Sequence, residues 1–164
     1  MIQKYLRNAG HVKRWHTVRT LKEETVAQHT YGVMSLLVEL CNGKPSSKLL
    51  CAALCHDIAE QYTGDTPATT KWNFPEIAVA IKNAELDTEN RMGATFDLTP
   101  EEVLLLKAAD MLDLCWFCLE ERALGNKNVV EIYERGMDYL SKMPFMGAVN
   151  IKIGELKSEW SKLL

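Results

Sequence analysis

From Thr25 to Cys41 the apolar residues Val26, Tyr31, Val33, Met34, Leu37, Val38, Leu40 and Cys41 recur at mixed spacings of three, four and seven. Positions so spaced share one face at 3.6 residues per turn, so the stretch is predicted to be an amphipathic helix, ended by Asn42-Gly43 and Pro45. A second apolar run starts at Ser46 or Ser47, both good capping residues, and passes through Leu49, Leu50, Ala53 and Leu54 to His56-Asp57. "YTGDTP" then breaks it. Further helices are predicted at Pro75 to Met92, Pro100 to Leu124, Val129 to Lys142 and Ala148 to Leu163. The one from Pro100 opens on "LTPEEV", where Thr99 can cap, Pro100 takes the first helical position and two glutamates face the positive end of the helix. Alternating β-type runs, repeats and linkers are absent, so the expectation is an all-α bundle of six or seven helices forming one domain over residues 1–164.

At 164 residues, 47% hydrophobic and 25% charged, the chain is large enough to bury one core. "MIQKYLRNAGHVKRW" lacks the apolar run of a signal peptide, and no segment reaches the roughly 18 apolar residues of a membrane span. These features predict a cytoplasmic protein without a membrane partner. The five cysteines (Cys41, Cys51, Cys55, Cys115, Cys118) fall mostly in apolar helical patterns, which suits buried reduced thiols. Cys115 and Cys118 make a C-x2-C, but no second pair follows to complete a zinc site. A net charge of -3 argues against a nucleic-acid partner, since that affinity rests on a broad basic face, so an anionic ligand needs a local cluster of cations.

The chemistry-bearing residues are His29 in the first of these helices, His56-Asp57 at the end of the next, and Asp110 inside "VLLLKAADMLDLCWF". Singly, His29 reads as a core histidine and Asp110 as a salt-bridged carboxylate, because a carboxylate among leucines is costly to bury unpaired. Together, two imidazoles and two carboxylates form a mixed nitrogen and oxygen set that leaves open positions on a divalent ion (Co2+, Mn2+, Zn2+, Fe2+ or Mg2+). Adjacent side chains in mid-helix diverge by about 100°, but at a helix end His56 and Asp57 can both turn toward one ion. Glu60, three residues beyond Asp57, either reaches the same site or is a surface glutamate.

The ordered set Arg14-Trp15, Glu24 with His29, His56-Asp57 with Glu60, "TGDTPATTK" and "KAAD" resembles the HD-domain phosphohydrolases over Lys13 to Glu121. Within them the chain is similar to the bacterial 5'-deoxynucleotidases and to short phage enzymes that hydrolyse dATP. That resemblance implies a single HD domain, with His29, His56, Asp57 and Asp110 as metal ligands and Glu60 as the residue handling the attacking water. It places Asp65 and Thr63 near phosphate or sugar, although Gly-Asp-Thr-Pro is also good turn and cap chemistry. It makes Arg14, Arg19, Lys71 and Lys107 the cations for substrate. Trp15 beside Arg14 offers an indole face to a base while the guanidinium forks onto phosphate.

The expected reaction is attack of water, acidified by the ion, on the phosphorus bonded to the deoxyribose 5' oxygen. Phosphate release from a monophosphate and triphosphate release from a triphosphate both remain open. So do a metal- and nucleotide-binding sensor without turnover, and hydrolysis of guanosine tetraphosphate or a cyclic dinucleotide. Apolar helices such as "LCWFCLEERALG" could supply a homo-oligomer face.

Overall fold

The computed structural model describes residues 2–144 and 146–163. Its helices, in chain order, are α1 (Ile2–Ala9), α2 (Val26–Leu40), α3 (Ser47–Cys55), α4 (Glu60–Thr63), α5 (Ala68–Asn73), α6 (Pro75–Met92), α7 (Pro100–Ala123), α8 (Val130–Ser141) and α9 (Gly147–Ser161). The fold is all-α, with no strand among the described residues. The count exceeds the expected six or seven because α4 and α5 are a few residues long, too short to display a helical period. The caps explain the other boundaries. Thr25 and Thr99 each close a capping box, with Gln28 and Glu102, and Ser46 accepts from the Leu49 amide.

The long helix α7 is the central element, packed against α2, α8 and α9. Leu37, Leu112, Cys115, Cys118, Val149 and Leu156 are fully enclosed there. All five cysteines are free thiols; Cys55, Cys115 and Cys118 are buried as expected, whereas Cys51 is exposed and Cys41 only half-buried. No helix of the described residues is long and apolar enough to cross a membrane.

Two features of this packing place the site. Gly32 of α2 faces α7 so closely that an added β-carbon would lie 1.8 Å from Asp113 Oδ1, so only glycine lets that carboxylate reach α2. Glu121, in the last turn of α7 and 0% exposed, accepts from the amides of Leu21 and Lys22 and from Asn126 Nδ2, each at 2.7 Å. It thereby fixes the far end of the irregular segment that joins α1 to α2. The near end is closed by Arg14 N to Glu24 O at 2.9 Å and Val26 N to Val12 O at 3.0 Å.

Candidate active site

α2, α7 and the turn after α3 bring His29, His56, Asp57 and Asp110 together, although 81 residues separate the first from the last. His29 Nε2 lies 3.1 Å from Asp110 Oδ1, 3.7 Å from Asp57 Oδ2 and 3.2 Å from His56 Nε2. His56 Nε2 is 3.3 Å from Asp57 Oδ2. The helix α3 stops at Cys55, one residue short of the doublet, and His56 is its C-cap. The doublet therefore lies in a turn, where two adjacent side chains can converge as they could not within the helix. Asp110 is not buried among leucines; its side chain is 46% exposed, facing a cavity, and its partner is His29.

The ring hydrogens settle what this cluster wants. His29 Nδ1 donates to Asp113 Oδ2 at 2.7 Å, and His56 Nδ1 donates to the Ala53 carbonyl at 2.6 Å. With Nδ1 so committed, the Nε2 atoms of the two neutral rings present lone pairs to each other, His29 also to Asp57 and Asp110 and His56 to Asp57, an arrangement that demands a positive charge in its midst. In the bare protein a proton meets that demand. Burial and the charge of Arg14 push His29 down, but the hydrogen bonds to Asp110 and Asp113 outweigh them and carry it up to about 10. A divalent cation fits the same donors, nitrogen and oxygen mixed, with a carboxylate behind one imidazole as metal-binding histidines usually have. Asp113 supplies that support, and the sequence reading missed it; its position three residues after Asp110, on the same face of α7, was the available signal.

Glu60 opens α4 rather than continuing the helix of Asp57, its amide bonding the Asp57 carbonyl at 3.1 Å. It is 4% exposed, not a surface glutamate, and its Oε2 has no hydrogen-bond partner. Burial first, then the charges of Asp57 and Asp65, push its carboxyl up to about 9 against the pull of Arg14 and Lys71. Burial also opposes ionisation of Asp57, but His56, His29 and Arg14 hold it far below the usual carboxylate range.

Arg14 spans two anions, with Nε 3.1 Å from Glu24 Oε2 and Nη1 3.2 Å from Asp57 Oδ2. The same Glu24 oxygen accepts from Trp15 Nε1 at 2.7 Å. Glu24, part of the sequence pattern but given no role there, thus orients both. Trp15 is 8% exposed, with a positive φ of 62° and one ring face stacked on Phe117 at 4.7 Å. That face is closed to a base; the rest of the ring edges a narrow cleft shared with Arg14, Val18, Asp65 and Pro67. Trp116 lines a different cavity with Asp113 and Lys22.

The remaining candidates divide. Lys71 and Lys107 line a cavity of about 550 Å3 together with His56, Asp57 and Asp110. Asp65 lies in the cleft, its Oδ2 3.9 Å from His16 Nδ1. Thr63 lines another cavity, beside Tyr5 and Arg91, and its hydroxyl donates to the Gly64 carbonyl. Arg19 is exposed, and its carbonyl is held by Asn126 and Asn128 at the Glu121 end of the segment. The structure brings neither Thr63 nor Arg19 to the imidazole and carboxylate cluster.

A family model described as 5'-deoxynucleotidase YfbR-like matches residues 2–99. The 5'-deoxynucleotidase of Vibrio cholerae is 27% identical, over 76% of this chain and 76% of that one. A 5'-deoxynucleotidase of Photorhabdus laumondii is 25% identical, over 88% and 90%. An HD phosphohydrolase of cyanophage S-2L, solved with dA and one catalytic Zn2+ ion, aligns with a TM-score of 0.71 and 22% identity over 97% of this chain and 96% of its own. An HD-domain phosphohydrolase of Listeria innocua does so at 0.78 and 21%, over 98% and 88%. The structural likenesses establish the fold. The family match takes in Arg14, Glu24, His29, His56, Asp57 and Glu60, while Asp110 and Asp113 lie beyond it and join through α7. On that match the chain belongs to the 5'-deoxynucleotidase YfbR-like family.

Proposed function

We propose that this protein is a metal-dependent phosphohydrolase of 2'-deoxyribonucleotides that cleaves at the phosphorus bonded to the 5' oxygen and releases a deoxynucleoside. The observation that carries it is that His29 Nε2 meets His56, Asp57 and Asp110 at 3.1 to 3.7 Å and His56 meets Asp57 at 3.3 Å, with a buried, unpartnered glutamate oxygen three residues after Asp57. His29, His56, Asp57 and Asp110 would hold one divalent ion, with Co2+, Mn2+, Zn2+, Fe2+ and Mg2+ the candidates. Such an ion, when bound, acidifies water and stabilises negative charge developing on the phosphoryl oxygens.

The chain's own residues do the rest. Glu60 Oε2 takes the proton from the attacking water and returns it to the 5' oxygen as the P–O bond breaks. In the bare protein its carboxyl is pushed up to about 9, and the charge of a bound divalent ion would bring it down toward neutral pH, where a proton relay works best. Arg14, held charged between Glu24 and Asp57, and Lys71 at the cavity wall neutralise phosphate. Asp65 and the exposed edge of Trp15 set the nucleoside in the cleft, Asp65 accepting from sugar hydroxyl. Names support this assignment from two sides, since the family is one of 5'-deoxynucleotidases and the phage protein was solved with dA. The same proposal sets the protein in the cytoplasm, bacterial or of a phage-infected host, as a homo-oligomer without nucleic-acid partners.

The test is incubation with Co2+, Mn2+ or Zn2+ and, separately, dAMP, dATP, AMP and ATP. Deoxyadenosine from at least one deoxynucleotide, with little adenosine from the ribonucleotides, is the expected result. Release of dADP from dATP would contradict the proposed bond. Metal and nucleotide binding without any turnover would make the protein a sensor instead.

A further inference from the structure

The narrow cleft beside Arg14, Trp15 and Asp65 has a volume of about 30 Å3, against about 550 Å3 for the cavity lined by His56, Asp57 and Asp110. A single water occupies about 10–15 Å3 of such space, so the cleft has room for one or two waters and not for a nucleobase. Its remaining walls are Val18 of the anchored loop, Leu114 of α7, Ile132 of α8, and Ala68 and Thr69 of α5. The helices α7 and α8 are packed on each other, and the loop is held at both ends.

The wall that can give is α5. It is six residues long, buries none of them fully and packs mainly on α6. Gly64, at a φ of 71°, precedes it and Phe74-Pro75 follows it, so the segment can turn between two junctions without bending a longer helix. Its tie to α8 is Trp72, half-buried, which lies under the Arg135 guanidinium with Cζ 5.0 Å from the ring centroid. Glu131 Oε1, one turn earlier on α8, steadies that guanidinium at 2.8 Å. The spacings match, since Thr69 and Trp72 stand three residues apart on α5, and Ile132 and Arg135 three apart on α8. Side chains so spaced share a helix face, so the stack on Trp72 also keeps Thr69 at the cleft that Ile132 lines.

Resting on the reading that the nucleoside binds in this cleft, we infer that α5 is the gate of the cleft and that the Arg135–Trp72 stack is its latch, holding it shut. A nucleoside that enters must move α5 away from Val18 and Leu114, and the stack is stretched or given up when it does. The latch therefore opposes binding, and removing it shifts the population toward the open cleft and tightens the complex. An ordinary packing contact at the same place has the opposite sign, because its loss weakens the binding of whatever the fold holds. Lys71, on the same short helix, lines the larger cavity, so the position of α5 bears on both spaces.

The experiment is calorimetric titration of the Mn2+-loaded protein with deoxyadenosine, which reads affinity without turnover. Arg135→Ala should tighten binding by about threefold to tenfold, the worth of a part-exposed cation–π contact. Arg135→Lys, which keeps a cation over the ring, should stay near wild type. Trp72→Leu, which keeps an apolar side chain but no π face, should match Arg135→Ala, and the double variant should gain nothing beyond either, because both remove one contact. Unchanged or weaker binding in Arg135→Ala, or gains that add in the double variant, would overturn the latch while leaving the nucleoside reading intact. Deoxyadenosine that binds none of these proteins would overturn the placement of the nucleoside in the cleft, and the gate with it.

Discussion

Gly32 and Asp113 stand so close that a β-carbon on the glycine would lie 1.8 Å from Oδ1 of the carboxylate, whose other oxygen holds His29 Nδ1 at 2.7 Å. A substitution that touches neither ligand nor substrate should therefore act on the metal. In mid-helix, alanine is favoured over glycine by about 0.5–1 kcal/mol. Gly32→Ala should nonetheless lower the melting temperature and weaken metal binding by about 10–100-fold, the usual cost of losing such a support. Titration against a competing chelator checks this, and wild-type affinity in the variant would break the link from Gly32 to the site.

Asp113→Ala tests the same contact from its other side. It leaves His29 in place but frees the ring to turn or change tautomer, so affinity should fall by about 10–100-fold. His56→Ala or Asp57→Ala should abolish bound metal and activity together while helical content by circular dichroism survives. Full activity in a metal-free Asp57→Ala preparation would sink the ligand assignment.

Metal binding should release a proton and tighten as the solution becomes more alkaline. His29 is carried up to about 10 in the bare protein, so at neutral pH the ion must displace that proton. Affinity should then rise by about tenfold per pH unit through the neutral range and level off above the imidazole's own value. Calorimetry in buffers of different ionisation enthalpy reads the proton count directly. A pH-independent affinity would mean that His29 binds the metal already neutral.

Glu60→Gln keeps size and removes the carboxylate. Metal and nucleotide should still bind, while kcat falls by about 10²–10⁴, the range for a positioned acid or base. In protein stripped of metal, the effect on stability has a definite sign. The folded carboxyl holds its proton up to about 9, whereas the unfolded one ionises near 4.5. Stability that is fully present below the unfolded value is therefore lost as pH rises toward the folded one. The variant should remove that decline and melt higher than wild type near pH 8, with the gap closing toward pH 4. A constant gap across this range would show that Glu60 titrates normally.

Much of this was legible in the chain, and the failures have physical causes. Helices α6 and α7 begin where Pro75 and Thr99-Pro100 say they should, because prolines and capping side chains act within one turn. The end of α3 was misjudged by two residues, since nothing local distinguishes a last helical turn from a continuing one when the next residues are also αR. His29 does meet His56, Asp57 and Asp110 at 3.1 to 3.7 Å, and Glu60, three residues after Asp57, is buried. The sharing of one Glu24 oxygen by Arg14 and Trp15 was invisible, because it depends on a loop that turns back over nine residues. Arg19 shows the converse error. It stands only five residues from Arg14, but the segment between them is irregular, and sequence proximity there implies no shared direction.

Glu121 closes the account of that segment. Eleven residues separate it from Asp110 on α7, about 16 Å at 1.5 Å per residue, so one rigid helix fixes the spacing between a proposed ligand and the anchor of the Arg14-Trp15 loop. With the Leu21 and Lys22 amides on Glu121 and the Arg19 carbonyl on Asn126 at one end and the Arg14–Glu24 backbone contact at the other, the loop loses its conformational freedom when the chain folds. A nucleotide bound as proposed would meet a guanidinium and an indole edge already aimed, and the positive φ of Trp15 survives because both ends of its loop are tied to the same bundle.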